Sequence, residues 1–596
     1  MLELKEVCFT IPKDGEPVHL VNHASLAVPR GHFMAIVGPS GCGKTTLLKT
    51  IAGLNPESAG SLWWEGRNLS EDGDLEPWEI GYVPQFSIAY EELTVDEAVE
   101  TATRLRVKSS SMEALDRRID RVLEETGLAP IADRHVKVLS GGQKRRLGLA
   151  MELVSDPKLL LCDEVTTGLD PRAEREIVHL LHDLSRHDGR TVISVTHSLA
   201  NLELYDSILV QHEGCVAFHG PPRQLTHYFS VDDTEEVYPT LAMQSGVNWQ
   251  NSWQKHRESY YRKLEKTRAL NIEAGKIRVP GEPAASDQEH DHSSEGEDHV
   301  GEESPTERKN PVRMPGVLSQ FTTLLTRRWK IFFRNRGQVF LQLAILICFP
   351  VLVTLFAQKG NEPIKRLSDL PEENMLLELQ EKVEVRNDQI RVGSAVSGII
   401  GIQVILLSLM GSNNAAREVA AERKIMEKEK FGGVRSGSYL MSKIAFLACL
   451  ILAQSLWMAI FVEFFWEFRG NFLSHVVFLV LVNTAITSIC LGISSIMKTA
   501  EQASLLSIYL VGFQLPLSGA VLALPEYIEP FTRPFISAYW AWSGSVDALG
   551  GNIRHAVDIV ADTSLSAHNT CLFMLGAHIV VGIVAAWIGM VRHQWD

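Results

Sequence analysis

Cysteine is scarce in this sequence. There are eight in 596 residues, at 8, 42, 162, 215, 348, 449, 490 and 571, with no dense spacing. A disulfide-knit scaffold is therefore excluded. Positive charge is in deficit, 57 Lys and Arg against 72 Asp and Glu for a net charge of −15, which argues against a nucleic-acid partner. The opening stretch MLELKEVCFTIPKDGEP lacks an apolar core of signal-peptide length, so the N-terminal part is expected in the cytoplasm. Lys and Arg vanish altogether from 282–307, where ten acids alternate with Pro, Ser and Gly. Such a stretch cannot bury enough apolar surface to offset the entropy of ordering it. It reads as a disordered linker, with His290, His292 and His299 solvated rather than gathered round a metal.

Apolar residues are unevenly spread. Up to about residue 313 the chain is mixed and polar, whereas long apolar runs follow residue 338, and a single soluble globular domain is excluded. Residues 2–11 and 33–37 (FMAIV) read as strands, the second leading into a glycine-rich turn, and helical and strand patterns alternate to about residue 230. That alternation predicts an α/β domain with a largely parallel sheet. At 315–335, Arg327, Arg328, Lys330 and Arg334 stand beside Trp329, Phe332 and Phe333, the pattern of a helix lying at a membrane surface. Six apolar segments follow, at about 338–357, 393–412, 444–465, 472–496, 503–522 and 571–591. Each has the roughly 20 residues that cross about 30 Å of hydrocarbon. An even number of crossings returns the C-terminal VRHQWD to the side of the N-terminus. Loop charge does not decide the orientation, since 413–443 carries seven Lys or Arg and 358–391 carries six. Orientation rests on the nucleotide chemistry that follows, because ATP is available in the cytoplasm.

The sequence GPSGCGKTT (Gly38, Pro39, Ser40, Gly41, Cys42, Gly43, Lys44, Thr45, Thr46) fits G-x-x-x-x-G-K-[ST] between an apolar strand and a helical segment. Glycines there let backbone N–H groups turn inward round phosphate oxygens, and a helix N-terminus adds favourable potential. Lys44 is expected to reach the β- and γ-phosphates of ATP, and the Thr45 hydroxyl to coordinate Mg²⁺. In LLLCDE, an apolar run ends in Asp163 and Glu164. A buried strand would deliver both carboxylates to its C-terminal end, where open α/β sheets bind ligands. Asp163 is expected to help hold Mg²⁺ and Glu164 to polarise the attacking water as general base.

LSGGQKRR (139–146) stands about 20 residues before that strand and resembles the signature sequence of ABC ATPases. The resemblance assigns Gln85 in YVPQF to the Q-loop, Asp170 in TGLDP to the D-loop and His197 in VTH to the switch histidine. It implies that Gln85 joins Thr45 and Asp163 at the metal. It further implies that Ser140, Gly141, Gly142 and Gln143 close over nucleotide held by the Lys44 side of a second domain. One copy of each half-site per chain then implies a dimer, with a second half-transporter of the same kind. Two departures occur: Val165 stands where the family usually has Pro, and Ile11 falls at the adenine-stacking position with Phe9 two residues earlier.

An N-terminal ATPase ahead of six spans resembles the G subfamily of ABC transporters. Matching stretches are ELTVDEAVETATRLR (92–106), VAFHGPPRQLTHYF (216–229), the charged segment 417–443 like an intracellular loop, and 518–542 like a re-entrant segment. The expected domains are an ATP-binding domain at 1–235, a linker at 236–313 and a connecting helix at 314–336. A six-span domain at 337–596, re-entrant near 523–545, completes the chain. Gly393, Ser397 and Gly401 recur every four residues, which suits close helix approach either at a dimer interface or within one subunit. Gln403, Gln514, Asn483, Glu463 and His578 lie in spans, to touch substrate or to bond between helices. No stack of ionisable residues marks an ion relay, so the path reads as apolar. The predicted outer loops have neither a cysteine pair nor an N-x-[ST] site, and a bacterial plasma membrane is expected. These features together predict an ATP-driven exporter that moves hydrophobic or amphipathic, lipid-like or drug-like, molecules as a dimer. The alternative is a non-transporting machine that uses ATP to act on a membrane or periplasmic partner.

Overall fold

The structure is a computed structural model. It describes all residues except 14, 87, 110, 187–188, 274–313, 358–378, 467–469, 519–524, 526, 550, 562 and 593–596. The acidic stretch 282–307 lies outside the described residues. Two units form, one of Met1–Gly316 with Phe431–Gly433 and one of Val317–Lys430 with Val434–Asp596.

In the first unit the strands are β1 (Leu2–Lys13), β2 (Glu16–Val28), β3 (Phe33–Val37), β4 (Ala59–Trp64), β5 (Arg67–Asn68), β6 (Ile80–Val83), β7 (Leu159–Asp163), β8 (Thr191–Val195), β9 (Ser207–His212) and β10 (Cys215–Gly220). The central sheet has the order β10-β9-β3-β8-β7-β6 and is parallel except for the β9–β10 pair. β3, β7 and β8 are buried at every residue, as the continuous apolar runs of a sheet covered on both faces must be. A second, antiparallel sheet β2-β1-β4-β5 was not expected from the sequence. Half-wet strands such as β2 carry the alternation that an antiparallel sheet with one solvated face requires.

The helices that frame the site are α1 (Lys44–Ile51), α2 (Val95–Arg106), α3 (Met112–Glu125), α4 (Gly141–Leu153) and α5 (Pro171–Arg186), followed by α6 (Val237–Leu241) and α7 (Gly246–Glu273). Residues from 236 were expected to open a linker; through 273 they are instead largely helical and packed on this unit. Trp249, Trp253 and Tyr260 on α7 close round Phe218, Tyr228 and Phe229. The Gln250 amide donates to the carbonyls of Asn22 and His23. The aromatic spacing along α7 makes an apolar stripe, which the surrounding charge conceals in a composition reading.

A buried polar chain also ties α7 to the sheet. The Ser207 hydroxyl lies 2.8 Å from His32 Nε2 and 3.2 Å from His219 Nε2, and His219 Nδ1 lies 3.3 Å from the Tyr261 hydroxyl. Burial pushes His32 down to about 4 and His219 down to about 3 from an ordinary 6.5. Both imidazoles are neutral when folded, whereas the unfolded chain takes up protons below its own pKa. The stability they support is complete above pH 6.5 and falls with pH until about 4 and 3 respectively. Each site costs about 1.4 kcal/mol per pH unit across that range. The urea midpoint of the first unit is therefore expected to drop between pH 7 and 5, with a shallower slope in His219→Gln. A profile flat over that range, or an unaltered slope, would refute the assignment.

The second unit is helical: α8 (Val317–Arg334), α9 (Arg336–Ala357), α10 (Leu379–Ala415), α11 (Arg423–Phe431), α12 (Ser436–Trp466), α13 (Phe472–Ile496), α14 (Ala500–Leu517), α15 (Ser537–Ala548), α16 (Gly551–Val560) and α17 (His568–Arg592). Among the described residues, five stretches are long and apolar enough to cross a membrane: Arg336–Leu355, Arg386–Phe431, Ser436–Trp466, Phe472–Ile496 and His568–Arg592. The fifth expected span, 503–522, coincides with α14, and its expected continuation at 519–522 lies outside the described residues. The expected re-entrant stretch is described in part, as α15 and the turns before it.

Helix α8 departs from a simple surface helix. Arg327 and Arg328 turn inward, buried, to make two-pronged ion pairs with Glu429 and Glu418, instead of reaching toward headgroups. Trp329 and Phe332 pack on Phe446 of α12. Gly393 settles against the same chain, where an added Cβ would strike the carbonyl oxygen of Ala556 on α16. Gly582 and Gly589 of α17 pack in the same way against the backbone at Ser488 and Ser495 of α13. Of the polar in-span residues, Asn483 donates to Ser455 at 3.1 Å, Gln514 accepts from the Ala538 N–H, and His578 lies between Ser537 and the Pro534 carbonyl. Gln403 is fully buried, and its amide atoms have no hydrogen-bond partner among the described residues.

Candidate functional site

β3, β8 and β7 lie side by side, so their C-terminal ends bring three loops together. The loop after β3 carries Gly38 to Gly43 and leads into α1, which begins at Lys44. Gly38 and Gly43 both have positive φ, and an added Cβ would strike the carbonyl oxygen of Gln211 at the first and of Leu20 at the second. Glycine is therefore required there for space as well as conformation. Ser40 and Gly41 are exposed at the turn, and Cys42 is buried beneath it, where burial raises its thiol pKa. The Lys44 ammonium donates to the carbonyls of Gly38 and Pro39 at 3.0 and 2.9 Å. Burial, foremost, lowers its pKa, so an incoming anion would relieve a penalty already present.

At the end of β7, Asp163 Oδ1 accepts from the Thr45 hydroxyl at 2.9 Å and Oδ2 from the Tyr82 hydroxyl at 3.3 Å. Burial raises the Asp163 pKa, against the pull of those two donors. A hard cation prefers such a set, a hydroxyl and a penalised carboxylate with their oxygens adjacent. Thr45 and Asp163 therefore suit Mg²⁺. Thr46 follows on α1, where its carbonyl accepts from Thr50.

Glu164 comes next, in a left-handed conformation (φ 48) that non-glycine residues seldom adopt. Its carboxylate is held from two sides. Oε1 lies 2.5 Å from His197 Nε2, and Oε2 accepts from the Gln85 amide at 2.9 Å and from the Thr167 hydroxyl at 3.4 Å. Gln85 thus touches Glu164. A carboxylate oriented in this way is able to draw a proton from a water on its open face.

Ser140 caps α4, with its hydroxyl accepting from the Gln143 N–H and the Gln143 side chain accepting from the Ser140 N–H. Gly141 and Gly142 open that helix, which packs on edge strand β6, whereas the Lys44 loop rises from central β3. Asp170 caps α5 through the N–H groups of Arg172 and Ala173. Val165 is fully buried, and Phe9 and Ile11 pair with Val21 and Val18 in the antiparallel sheet. Tyr82 and Thr167 were missed by motif reading; Tyr82 alone had a signal, its place three residues before Gln85 on an apolar strand.

The ABC transporter family model matches residues 21–167, and the ABC-2 type transporter model matches 319–541. The ABC transporter ATP-binding/permease protein Rv1747 of Mycobacterium tuberculosis is 27% identical over 615 residues, taking in 99% of this chain and 62% of that protein. The chain thus spans less than two thirds of that relative. The methionine import ATP-binding protein MetN of Symbiobacterium thermophilum is 34% identical over 225 residues, 37% of this chain and 67% of the relative. ABC transporter G family member 26 of Arabidopsis thaliana is 34% identical over 248 residues, 40% of this chain and 35% of the relative. Two family models in this order, over a phosphate loop with its acidic strand, mean that the chain belongs to the ABC transporter family, its ABC ATPase domain fused ahead of an ABC-2 type membrane domain in a half-transporter arrangement.

Proposed function

We propose that this chain is half of an ATP-driven exporter of hydrophobic or lipid-like molecules, working as a dimer in a bacterial plasma membrane with its ATPase domain and C-terminus in the cytoplasm. The observation that carries the reading is that one chain holds both the hydrolytic residues and the segment matched by the ABC-2 type model. Lys44 and the loop amides bind the phosphates of ATP. Thr45 and Asp163, with Gln85 beside them, hold Mg²⁺, which when bound neutralises charge that builds on the phosphate oxygens. Glu164 takes the proton from the attacking water, and His197 and Gln85 keep its carboxylate in place. Ser140, Gly141, Gly142 and Gln143 close the nucleotide of the partner copy, with Asp170 at the joint between copies. ATP shifts the membrane domains by no more than its preference for the closed pair over the open one.

The test uses purified full-length protein in lipid discs. ATP hydrolysis is expected, stimulated by lipid-like or amphipathic compounds, with a steep dependence on protein concentration where dimers dissociate. Lys44→Ala is expected to weaken ATP binding at least about tenfold, the scale of a lost charge-assisted contact. Hydrolysis that no such compound changes, together with ATP-dependent capture of a membrane or periplasmic partner, would favour the non-transporting machine. Unaltered ATP affinity in Lys44→Ala would refute the phosphate assignment.

A further inference from the structure

We infer that Tyr82 is a positioning residue for the metal half of the ATPase site, its hydroxyl holding one oxygen of Asp163 while the other is presented beside Thr45. The inference rests on the nucleotide reading above and adds to it a residue that none of its motifs contains. Tyr82 lies on β6, the edge strand next to β7. The two strands run parallel, with Tyr82 opposite Leu161. Side chains two residues apart on a strand share a face, so Asp163 stands on the face of Leu161 and Tyr82. Strands about 4.8 Å apart, rising about 3.3 Å per residue, place such diagonal neighbours about 8 Å apart, within reach of a phenol. The register therefore aims the ring of Tyr82 at the carboxylate.

The Tyr82 hydroxyl donates to Asp163 Oδ2 at 3.3 Å, and the Thr45 hydroxyl donates to Oδ1 at 2.9 Å. The terminal torsion of an aspartate has no sharp wells, so the plane of the carboxylate is set by what bonds its two oxygens. Thr45 belongs to the metal set itself. Tyr82 does not, and restrains the carboxylate from outside that set. The phenol is held in turn, since Tyr82 is 2% exposed and β6 is buried at every residue. Phenylalanine at 82 would retain the ring and lose the bond. Lys44 and the phosphate loop are untouched by that change. The hydroxyl thus serves the metal rather than the nucleotide alone, as groups bonded to metal ligands commonly do.

The experiment measures equilibrium binding of a non-hydrolysable ATP analogue to full-length protein, once with excess Mg²⁺ and once in EDTA. The ratio of the two affinities is the coupling between metal and nucleotide on the protein, read without turnover. In Tyr82→Phe the ratio is expected to fall about tenfold, the lower range for losing a partner of a metal ligand, with the EDTA affinity within about twofold of wild type. Tyr261→Phe removes a half-buried phenol of the same unit that is bonded to His219, and is expected to keep the wild-type ratio. An unchanged ratio in Tyr82→Phe would overturn the inference. So would an equal fall in Tyr261→Phe, or a loss in EDTA as large as the loss in Mg²⁺, since either describes a structural role. A raised ratio would overturn it as well, for the hydroxyl would then merely compete with the cation for Asp163. Wild-type protein whose binding Mg²⁺ does not strengthen would refute the metal assignment proposed above, and this inference with it.

Discussion

Glu164→Gln is expected to bind ATP with wild-type affinity and to hydrolyse it at least about a hundredfold more slowly, the lower range for loss of a general base. The substitution keeps the shape of the side chain and removes its charge. The carboxylate lies at the C-terminal end of a fully buried strand, turned by a left-handed backbone toward His197 and the Gln85 amide. Neither neighbour replaces it as built: the amide has no basicity, and the imidazole is already engaged with Glu164. Lys44 and the loop glycines, which carry phosphate binding in this scheme, are untouched by the change. Equilibrium ATP binding and single-turnover phosphate release check the two halves separately. Hydrolysis within about tenfold of wild type would move the base elsewhere, and His197 would be the first to examine.

Lys443→Met is expected to destabilise the helical unit by about 3–5 kcal/mol, the range for removing one partner of a buried ion cluster. Lys443 is 2% exposed. Its ammonium lies 2.6 Å from Glu422 and 3.1 Å from Glu418, while Arg328 grips Glu418 at 2.5 and 2.8 Å and Tyr439 donates to Glu422 at 3.0 Å. With methionine in place, two buried carboxylates share a depleted set of cations. The thermal midpoint of detergent-purified protein is expected to fall sharply, or folded protein to be lost from the membrane. Adding Glu422→Gln to Lys443→Met is expected to restore part of the loss, because the uncompensated charge goes with it. A Lys443→Met protein that melts with the wild type, or a double variant no better than the single, would contradict the cluster.

The nucleotide site was legible in the sequence because its chemistry is local. A glycine loop must follow a strand and open a helix, and two carboxylates must end an apolar run, so residues 38–46 and 163–164 announce themselves within a few positions. The mutual contacts were not legible. Gln85, read from the sequence as a metal contact, also donates to Glu164. Tyr82 reaches the Asp163 carboxylate and Tyr238 the His197 carbonyl from chain positions about 150 residues apart, with no spacing rule to join them. In the apolar half, composition marked the spans, and of the small residues picked out at 393, 397 and 401, Gly393 lies against the backbone of Ala556 within the same chain. Gly582 and Gly589, packed against α13, were not picked out, since helix rotation, which hydropathy does not encode, decides which small residue meets a neighbour.

By itself the amino-acid order determined the class of chemistry, phosphate binding ahead of a membrane domain, because the covalent chain presents those groups at fixed short separations. Tertiary structure decided which distant groups meet. It brought Asp163 to Thr45, Glu164 to His197, Arg328 and Lys443 to Glu418, and the stretch after 236 back onto the sheet. Burial is the physical reason: a charge or hydroxyl removed from water must find a partner wherever the fold supplies one, at any distance along the chain.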